Sequence, residues 1–247
     1  MHPLIVIFPD LDSLSLAAAK QFAGVALAAV RQRGQALVAL SGGSTPVRLF
    51  HKLASAPFSA QIPWAAVHFF WCDERCVPPD DPESNFGQAR QALFGPLNLP
   101  EKNLHRIAGE LEPEQAALVY TELLGQFKAP GLSWPIFDLV LLGLGADGHT
   151  ASLFPGAPLP EQTPVLAVTA DYQGRPARRV TLTPLVLNSA RQVIFMVAGA
   201  EKAEAVKHAL LDPPDPLRYP AQRIQPIHGA LHWLVDAAAA EMIHSLS

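Results

Sequence analysis

The chain has 247 residues, 49% of them hydrophobic and 16% charged, with a formal net charge of −4. Such a length and composition support a large core and one domain, residues 1–247. The mild acidity and the lack of any Lys/Arg run exclude a general attraction to nucleic acid, so an anionic ligand has to be held by a few placed cations.

Leu4–Phe8 is a strand-type apolar run with no cationic start before it, and Pro9-Asp10 stops it, so it does not read as a leader. Leu14–Arg33 predicts a helix closed by Gly34, a C-cap signal. Its Leu14–Val30 portion is Ala-rich and holds Lys20 and Gln21, which marks a packed helix rather than a membrane span. A strand at Ala36–Leu40 enters a Gly-Gly turn and then a helix over Pro46–Ala54. Val67–Trp71 is a strand leading into a charged loop, Cys72-Asp73-Glu74-Arg75. Apolar residues at 116, 119, 120, 123 and 127 place a helix between Pro113 and Phe127. Strands follow at Phe137–Leu142, Val165–Thr169, Val180–Thr183, Val193–Ala198 and Leu231–Val235, with helices over Glu201–Leu211 and Asp236–Leu246. Prolines gather at Val77–Pro82, Pro155–Pro164 and Asp212–Pro226, and apolar strands resume after each, so these are loops. Strands alternating with helices predict βαβ units and a mainly parallel sheet.

Residues 137–155 carry the most chemistry. Leu139–Leu142 is a short continuous run, the mark of a strand buried on both faces, and the glycines after it bring Asp147 and His149 to one loop. Ligands of parallel sheets bind beyond the carboxyl ends of strands. A neutral imidazole there can take a proton from water, with a carboxylate fixing its tautomer. The plain alternative is that Asp147 caps a short helix and His149 packs. Gly143 to Gly148 formally matches G-x-G-x-x-G, yet the chain reaches Phe154-Pro155-Gly156 instead of opening a long helix, which speaks against a dinucleotide.

Ser41-Gly42-Gly43-Ser44-Thr45-Pro46 joins a strand to a helix start. Glycines let backbone approach an oxygen-rich anion, the helix offers free N–H groups, and Ser44 and Thr45 can cap it or donate to phosphate. An ordinary turn with an N-cap reads the same residues. No Lys-Ser/Thr follows, so it is not a P-loop, and no G-x-S-x-G elbow exists for a serine hydrolase. Arg178 and Arg179 precede Val180–Thr183 and Lys202 sits in the first turn of the helix after Val193–Ala198, where a phosphate could use them, though a lone Lys there is typically solvent-facing. Cys72 and Cys76 are too few for a disulfide framework or a structural zinc site and read as plain thiols in a reducing compartment, hence a cytoplasmic chain. His228 and His232 have i, i+4 spacing, but Gly229 argues against a helical metal pair.

Together, Ser41–Pro46, Asp73–Arg75 with Ser84-Asn85, Gly143–Pro155, Arg179–Thr183 and Gly199–Lys202 resemble the glucosamine-6-phosphate deaminase/6-phosphogluconolactonase family, in that order over most of the chain. The resemblance implies an open, Rossmann-like α/β sheet with helices on both faces. It implies a phosphosugar lactone as the small-molecule partner, with no cofactor, metal, nucleic acid or membrane, in a monomer or small homo-oligomer. The implied reaction is hydrolysis of 6-phospho-D-glucono-1,5-lactone in the oxidative pentose phosphate pathway. Ser41, Gly42, Gly43, Ser44 and Thr45 with Arg179 and Lys202 would hold the phosphate, with Asp73 also on the substrate side. His149 would be the general base, Asp147 its orienter or a hydroxyl ligand, and Arg75 a stabiliser of the carbonyl oxygen. The deaminase branch resembles Asp-Gly-His-Ile-Ala-Phe-Asn-Glu-Pro, whereas here Phe154 precedes Pro155 and carries no proton; it also tends to have Tyr where this chain has Arg75. The alternatives are a deaminase-like isomerase, a non-catalytic phosphosugar sensor and a metal-dependent lactonase.

Overall fold

Two strands read Ala-Leu-Val-Ala-Leu and Leu-Val-Leu-Leu, and every one of their residues is buried. Such strands are stable only inside a sheet covered on both faces. The computed structural model, which describes residues 3–157 and 162–246, supplies that cover. Its elements are β1 (Leu4–Phe8), α1 (Leu11–Arg33), β2 (Ala36–Leu40), α2 (Ser44–Leu53), α3 (Phe58–Gln61), β3 (Val67–Trp71), β4 (Asp73–Arg75), α4 (Asn85–Ala89) and α5 (Gly95–Leu97). They continue as β5 (Leu104–His105), α6 (Pro113–Gly125), β6 (Leu139–Leu142), β7 (Val165–Thr169), β8 (Arg178–Leu182), α7 (Pro184–Leu187), β9 (Gln192–Val197), α8 (Ala203–Leu210) and β10 (Ala230–Asp236).

Seven strands form one parallel sheet in the order β1-β10-β9-β6-β2-β3-β5. After β2 the chain winds outward through β3 to β5; after β6 it winds the other way through β9 to β10. The winding reverses between β2 and β6, and a crevice opens at their carboxyl ends. The Ser41 and Gly143 loops begin there. Helix α1 is capped by Asp10, whose side chain accepts from Ser13 N, and it ends at Gly34 with φ 78°. It buries Leu14, Ala18, Ala19, Phe22, Ala23, Ala26 and Ala29, so its length and apolarity belong to the core.

Several predicted elements are corrected. Asp73–Arg75 is not a loop but strand β4, which pairs antiparallel with β8, itself paired antiparallel with β7. The runs near residues 165–169 and 178–182 therefore leave the parallel sheet for a second, three-stranded one. Arg179 lies inside β8 instead of before it. The predicted C-terminal helix is absent: β10 runs to Asp236, opposite Phe8, and the Asp236 carboxylate takes Ala239 N at 2.8 Å to close a turn. A 3₁₀ segment, Glu241–Leu246, follows that turn. The helical run through α4, a π-type turn over Arg90–Phe94 and α5 was hidden by Gly87 and Gly95-Pro96, which break its pattern. Within the proline loop at 155–164, residues 158–161 lie outside the described ones.

Away from the crevice, just before β6, Asp138 is buried and accepts from Leu37 N at 2.9 Å while pairing with Arg33 at 2.8 Å and Arg191 at 3.3 Å. Removing a buried carboxylate with such partners costs about 3 kcal/mol. Asp138→Ala should therefore lower the unfolding free energy by about that amount in urea titration, and leave ligand affinity at the crevice unchanged.

Candidate active site

The Ser41 loop is shaped by close approach. A Cβ on Gly42 would lie 1.8 Å from Asn85 Oδ1, so no larger residue fits beneath that side chain. Helix α2 starts at Ser44, two residues earlier than its spacing predicts, with Gly43 as N-cap and no side-chain cap. Ser44 and Thr45 thus sit in the first turn and do not cap it, which corrects one expectation. Ser44, Thr45 and Pro46, at the positive end of the α2 dipole, line the cavity described below.

On the neighbouring loop, Gly145 N donates to His149 O at 2.8 Å and Gly148 N to Gly145 O at 3.0 Å, closing a tight turn. His149 Nδ1 lies 2.6 Å from Asp147 Oδ1, and His149 N donates to the same oxygen at 3.1 Å. The carboxylate makes Nδ1 the donor and leaves Nε2 free to accept a proton. Burial pushes the Asp147 carboxyl up, but the hydrogen bonds and charge of His149 outweigh it and hold it below its usual range. The dyad lies directly over Gly145, where a Cβ would fall 2.0 Å from Nδ1 and 2.5 Å from Asp147 Oδ1. Phe154 stacks on the imidazole at 4.5 Å, and Tyr172 meets it edge-on at 4.6 Å.

The second sheet supplies the cations. Register places Arg75 of β4 directly opposite Arg179 of β8. Both are buried, at 7% and 2% exposure, and Arg75 Nε and Arg179 Nη2 have no hydrogen-bond partner among the described residues. Arg75 donates to Glu83 O at 2.6 Å and lies 3.6 Å from the Glu83 carboxylate; Arg179 Nε donates to Pro176 O at 3.0 Å. Burial pulls the Arg179 pKa down, Asp73 opposes that shift, and Arg75 adds to it. Lys202 follows β9 in a 3₁₀ turn that precedes α8, and carries no carboxylate partner among the described residues.

Ser41, Gly42, Gly43, Ser44, Thr45, Asp73, Arg75, His149, Arg179 and Lys202 all line one cavity of about 180 Å³, with Asp147 bonded behind His149. Asp73 is buried and accepts from Ser152 Oγ at 2.7 Å and Asn85 Nδ2 at 3.3 Å. Among the described residues no group of three or more His, Cys, Asp or Glu side chains is disposed to hold a metal. Sequence reasoning missed Tyr172 and Arg175, which also line the cavity from the β7–β8 connection. That segment has no periodic pattern to reveal them.

It also missed Glu74. This buried carboxylate accepts from Arg75 N at 2.7 Å, Asn85 N and Phe86 N at 2.8 Å, and Ser84 Oγ at 3.0 Å. It ties β4 to the start of α4 and so sets Asn85 above Gly42. Burial pushes its pKa up to about 7 against the pull of those donors. No local signal marks it: by sequence Glu74 is one charge of a solvated turn, and only the pairing of β4 with β8 makes it part of a buried strand.

Comparison with known proteins adds three findings. The profile of the family described as glucosamine-6-phosphate isomerases/6-phosphogluconolactonase matches residues 9–233. A 6-phosphogluconolactonase of Mycobacterium bovis is 40% identical over 99% of this chain and 100% of its own, and one of Synechocystis is 43% identical over 86% and 87%. The solved 6-phosphogluconolactonase of Trypanosoma brucei superposes with a TM-score of 0.85 at 29% identity, over 98% of each chain.

Gly145→Ala should break the Asp147–His149 bond while the protein stays folded. In proton NMR the low-field Nδ1–H signal expected of the wild type should be missing; its persistence would show that the loop accommodates the methyl group. At Glu74, folding raises the carboxyl from 4.5 to about 7. The folded chain therefore holds a proton that the unfolded chain releases between these values, and stability falls as pH rises through that window. Glu74→Gln should flatten this slope by roughly 1 kcal/mol per pH unit, read from urea titrations at several pH values.

Proposed function

This chain belongs to the glucosamine-6-phosphate isomerase/6-phosphogluconolactonase family, and we propose that it hydrolyses 6-phospho-D-glucono-1,5-lactone to 6-phospho-D-gluconate. The observation that carries the reading is the 2.6 Å Asp147–His149 bond inside a cavity shared with Arg75, Arg179, Lys202 and the start of α2. Hydrolysis of a phosphorylated lactone calls for a base beside an anion anchor, and this arrangement supports both.

The phosphate would lie at the first turn of α2, held by its free amides, by the Ser44 and Thr45 hydroxyls and by Arg179 and Lys202. Ser41, Gly42 and Gly43 bring the backbone close enough for that contact. His149 Nε2 would take a proton from the water that attacks the lactone carbonyl, and the imidazolium would return it to the departing ring oxygen. Asp147 holds the tautomer and stabilises the imidazolium. Arg75 would steady the negative charge that develops on the carbonyl oxygen, and Asp73 would take a sugar hydroxyl. Phe154 stands where the isomerase chemistry would need a proton carrier, and its ring is buried on His149. Water is the second reactant, so the scheme calls on no metal or organic cofactor. Two free thiols, one buried and one half-buried, support a cytoplasmic setting, with the chain acting as a monomer or small homo-oligomer.

The assay forms the lactone in situ with a coupled dehydrogenase and follows its decay above the spontaneous rate. EDTA-treated protein should accelerate decay; no acceleration would overturn the reading. His149→Ala should lower kcat by roughly 10²–10⁴-fold with KM little changed. Arg179→Ala and Lys202→Ala should each raise KM, by about 1.5–3 kcal/mol of lost binding, and near wild-type values for both would remove the anchor from this scheme.

A further inference from the structure

Phe154 is 8% exposed, yet it lies outside the contiguous hydrophobic core. Its ring is packed instead among the polar side chains of the site. The His149 imidazole stacks on it with centroids 4.5 Å apart and planes 29° apart. The Arg179 guanidinium carbon lies 5.3 Å from the same centroid, within cation–π range. Tyr172 stands 6.0 Å from Phe154 and closes edge-on against the imidazole.

The ring is itself held in place. Leu153 N donates to Thr150 O at 2.9 Å, closing a turn through Ala151, whose φ is 48°. Ser152 in that turn is tied on two sides, by Oγ to Asp73 at 2.7 Å and by N to Thr181 Oγ1 at 3.2 Å. One aromatic surface thus touches a permanent cation and an imidazole that becomes cationic when it accepts a proton. Both gain from the negative face of the ring, and both lose orientation without it.

We propose that Phe154 is a positioning residue that fixes the His149 imidazole relative to the Arg179 guanidinium, so that anchoring an anion and orienting the base are coupled through one ring. The catalytic consequence rests on the lactonase reading above; the brace itself does not. An aliphatic residue of similar bulk would fill the space and still lose the coupling, because it offers no flat face to either partner.

The test compares Phe154→Leu with Phe154→Tyr, using two readouts besides turnover. Inorganic phosphate is titrated by calorimetry, and the His149 ring is followed by ¹H–¹⁵N NMR. In Phe154→Leu the phosphate Kd should rise roughly tenfold, the imidazole signals should broaden, kcat should fall and KM should rise. Phe154→Tyr, which keeps the ring, should stay within about twofold of wild type in phosphate Kd, as expected if the ring face carries the effect. Adding Phe154→Leu to Arg179→Ala should weaken phosphate no further, the non-additivity expected of coupled residues. Unchanged phosphate affinity and an unchanged imidazole spectrum in Phe154→Leu would overturn the proposal, as would a Tyr variant no better than Leu or a wild type that binds no phosphate. Should Phe154→Leu fail to fold, Phe154→Met is judged by the same outcomes. A wild type inert toward the lactone would sink the functional reading alone, since phosphate and the imidazole report on the brace independently.

Discussion

Two buried arginines stand directly opposite each other on β4 and β8, and each keeps a guanidinium nitrogen without a hydrogen-bond partner among the described residues. Like charges opposed on paired strands repel, and burial removes the water that would soften the repulsion. Carboxylates relieve this arrangement only in part. Glu83 stands 3.6 Å from Arg75, and Asp73 is turned toward Ser152 and Asn85. The fold therefore maintains a concentrated positive potential in a chain whose net charge is −4. An anion entering the cavity relieves that repulsion as well as gaining hydrogen bonds, so the opposed cations favour its binding.

Holding such a site open takes rigid support, and much of the polar chemistry next to it supplies that support. Glu74 gathers three backbone amides and a hydroxyl, which fixes β4 against α4. Asn85 then reaches from α4 to the Asp73 carbonyl at 2.8 Å and lies over Gly42. Ser152 brings the loop that follows the dyad to Asp73. A buried carboxylate satisfied entirely by neutral donors is expensive to form, and it persists because it joins segments far apart in the chain. Pre-set donors need no reorganisation when charge develops on a substrate, which is how such groups lower barriers.

The parallel sheet was largely legible because its strands are continuous apolar runs: β1, β2 and β3 fall where their sequence places them, and β6, β9 and β10 within two residues, whereas the two-residue edge strand β5 has no such run. Among the described residues the satellite sheet was less so. Asp73-Glu74-Arg75 is all charge, and no local pattern makes three charged residues a buried strand; only pairing with β8 and the donors on Glu74 do. The C-terminal stretch failed for the opposite reason. Its alanines favour a helix, but the Asp236 carboxylate binds Gly199 N and Ala239 N, and tertiary contact overrode propensity. The dyad and the Ser41 loop were readable because glycines mark places where backbone or side chains crowd. Tyr172 gave no such mark, since its role depends on where the β7–β8 connection folds back.

Cys72 shows how the two sheets are kept in register. Its N–H donates to Leu40 O at 2.7 Å, continuing the parallel ladder of β3 on β2, while its carbonyl accepts from Leu182 N at 2.7 Å and so binds β8. One residue thus belongs to both sheets, and its S–H points to Leu141 O at 3.6 Å on β6. Burial pushes the thiol far above its usual range, which keeps it protonated and unreactive. A larger side chain would have to displace β2 or β6 at the crevice, and a charged one would be stranded there. The base and the α2 turn ride on the parallel sheet, whereas Arg75 and Arg179 ride on the satellite. Their separation is therefore set at this joint, in the core, before any ligand arrives.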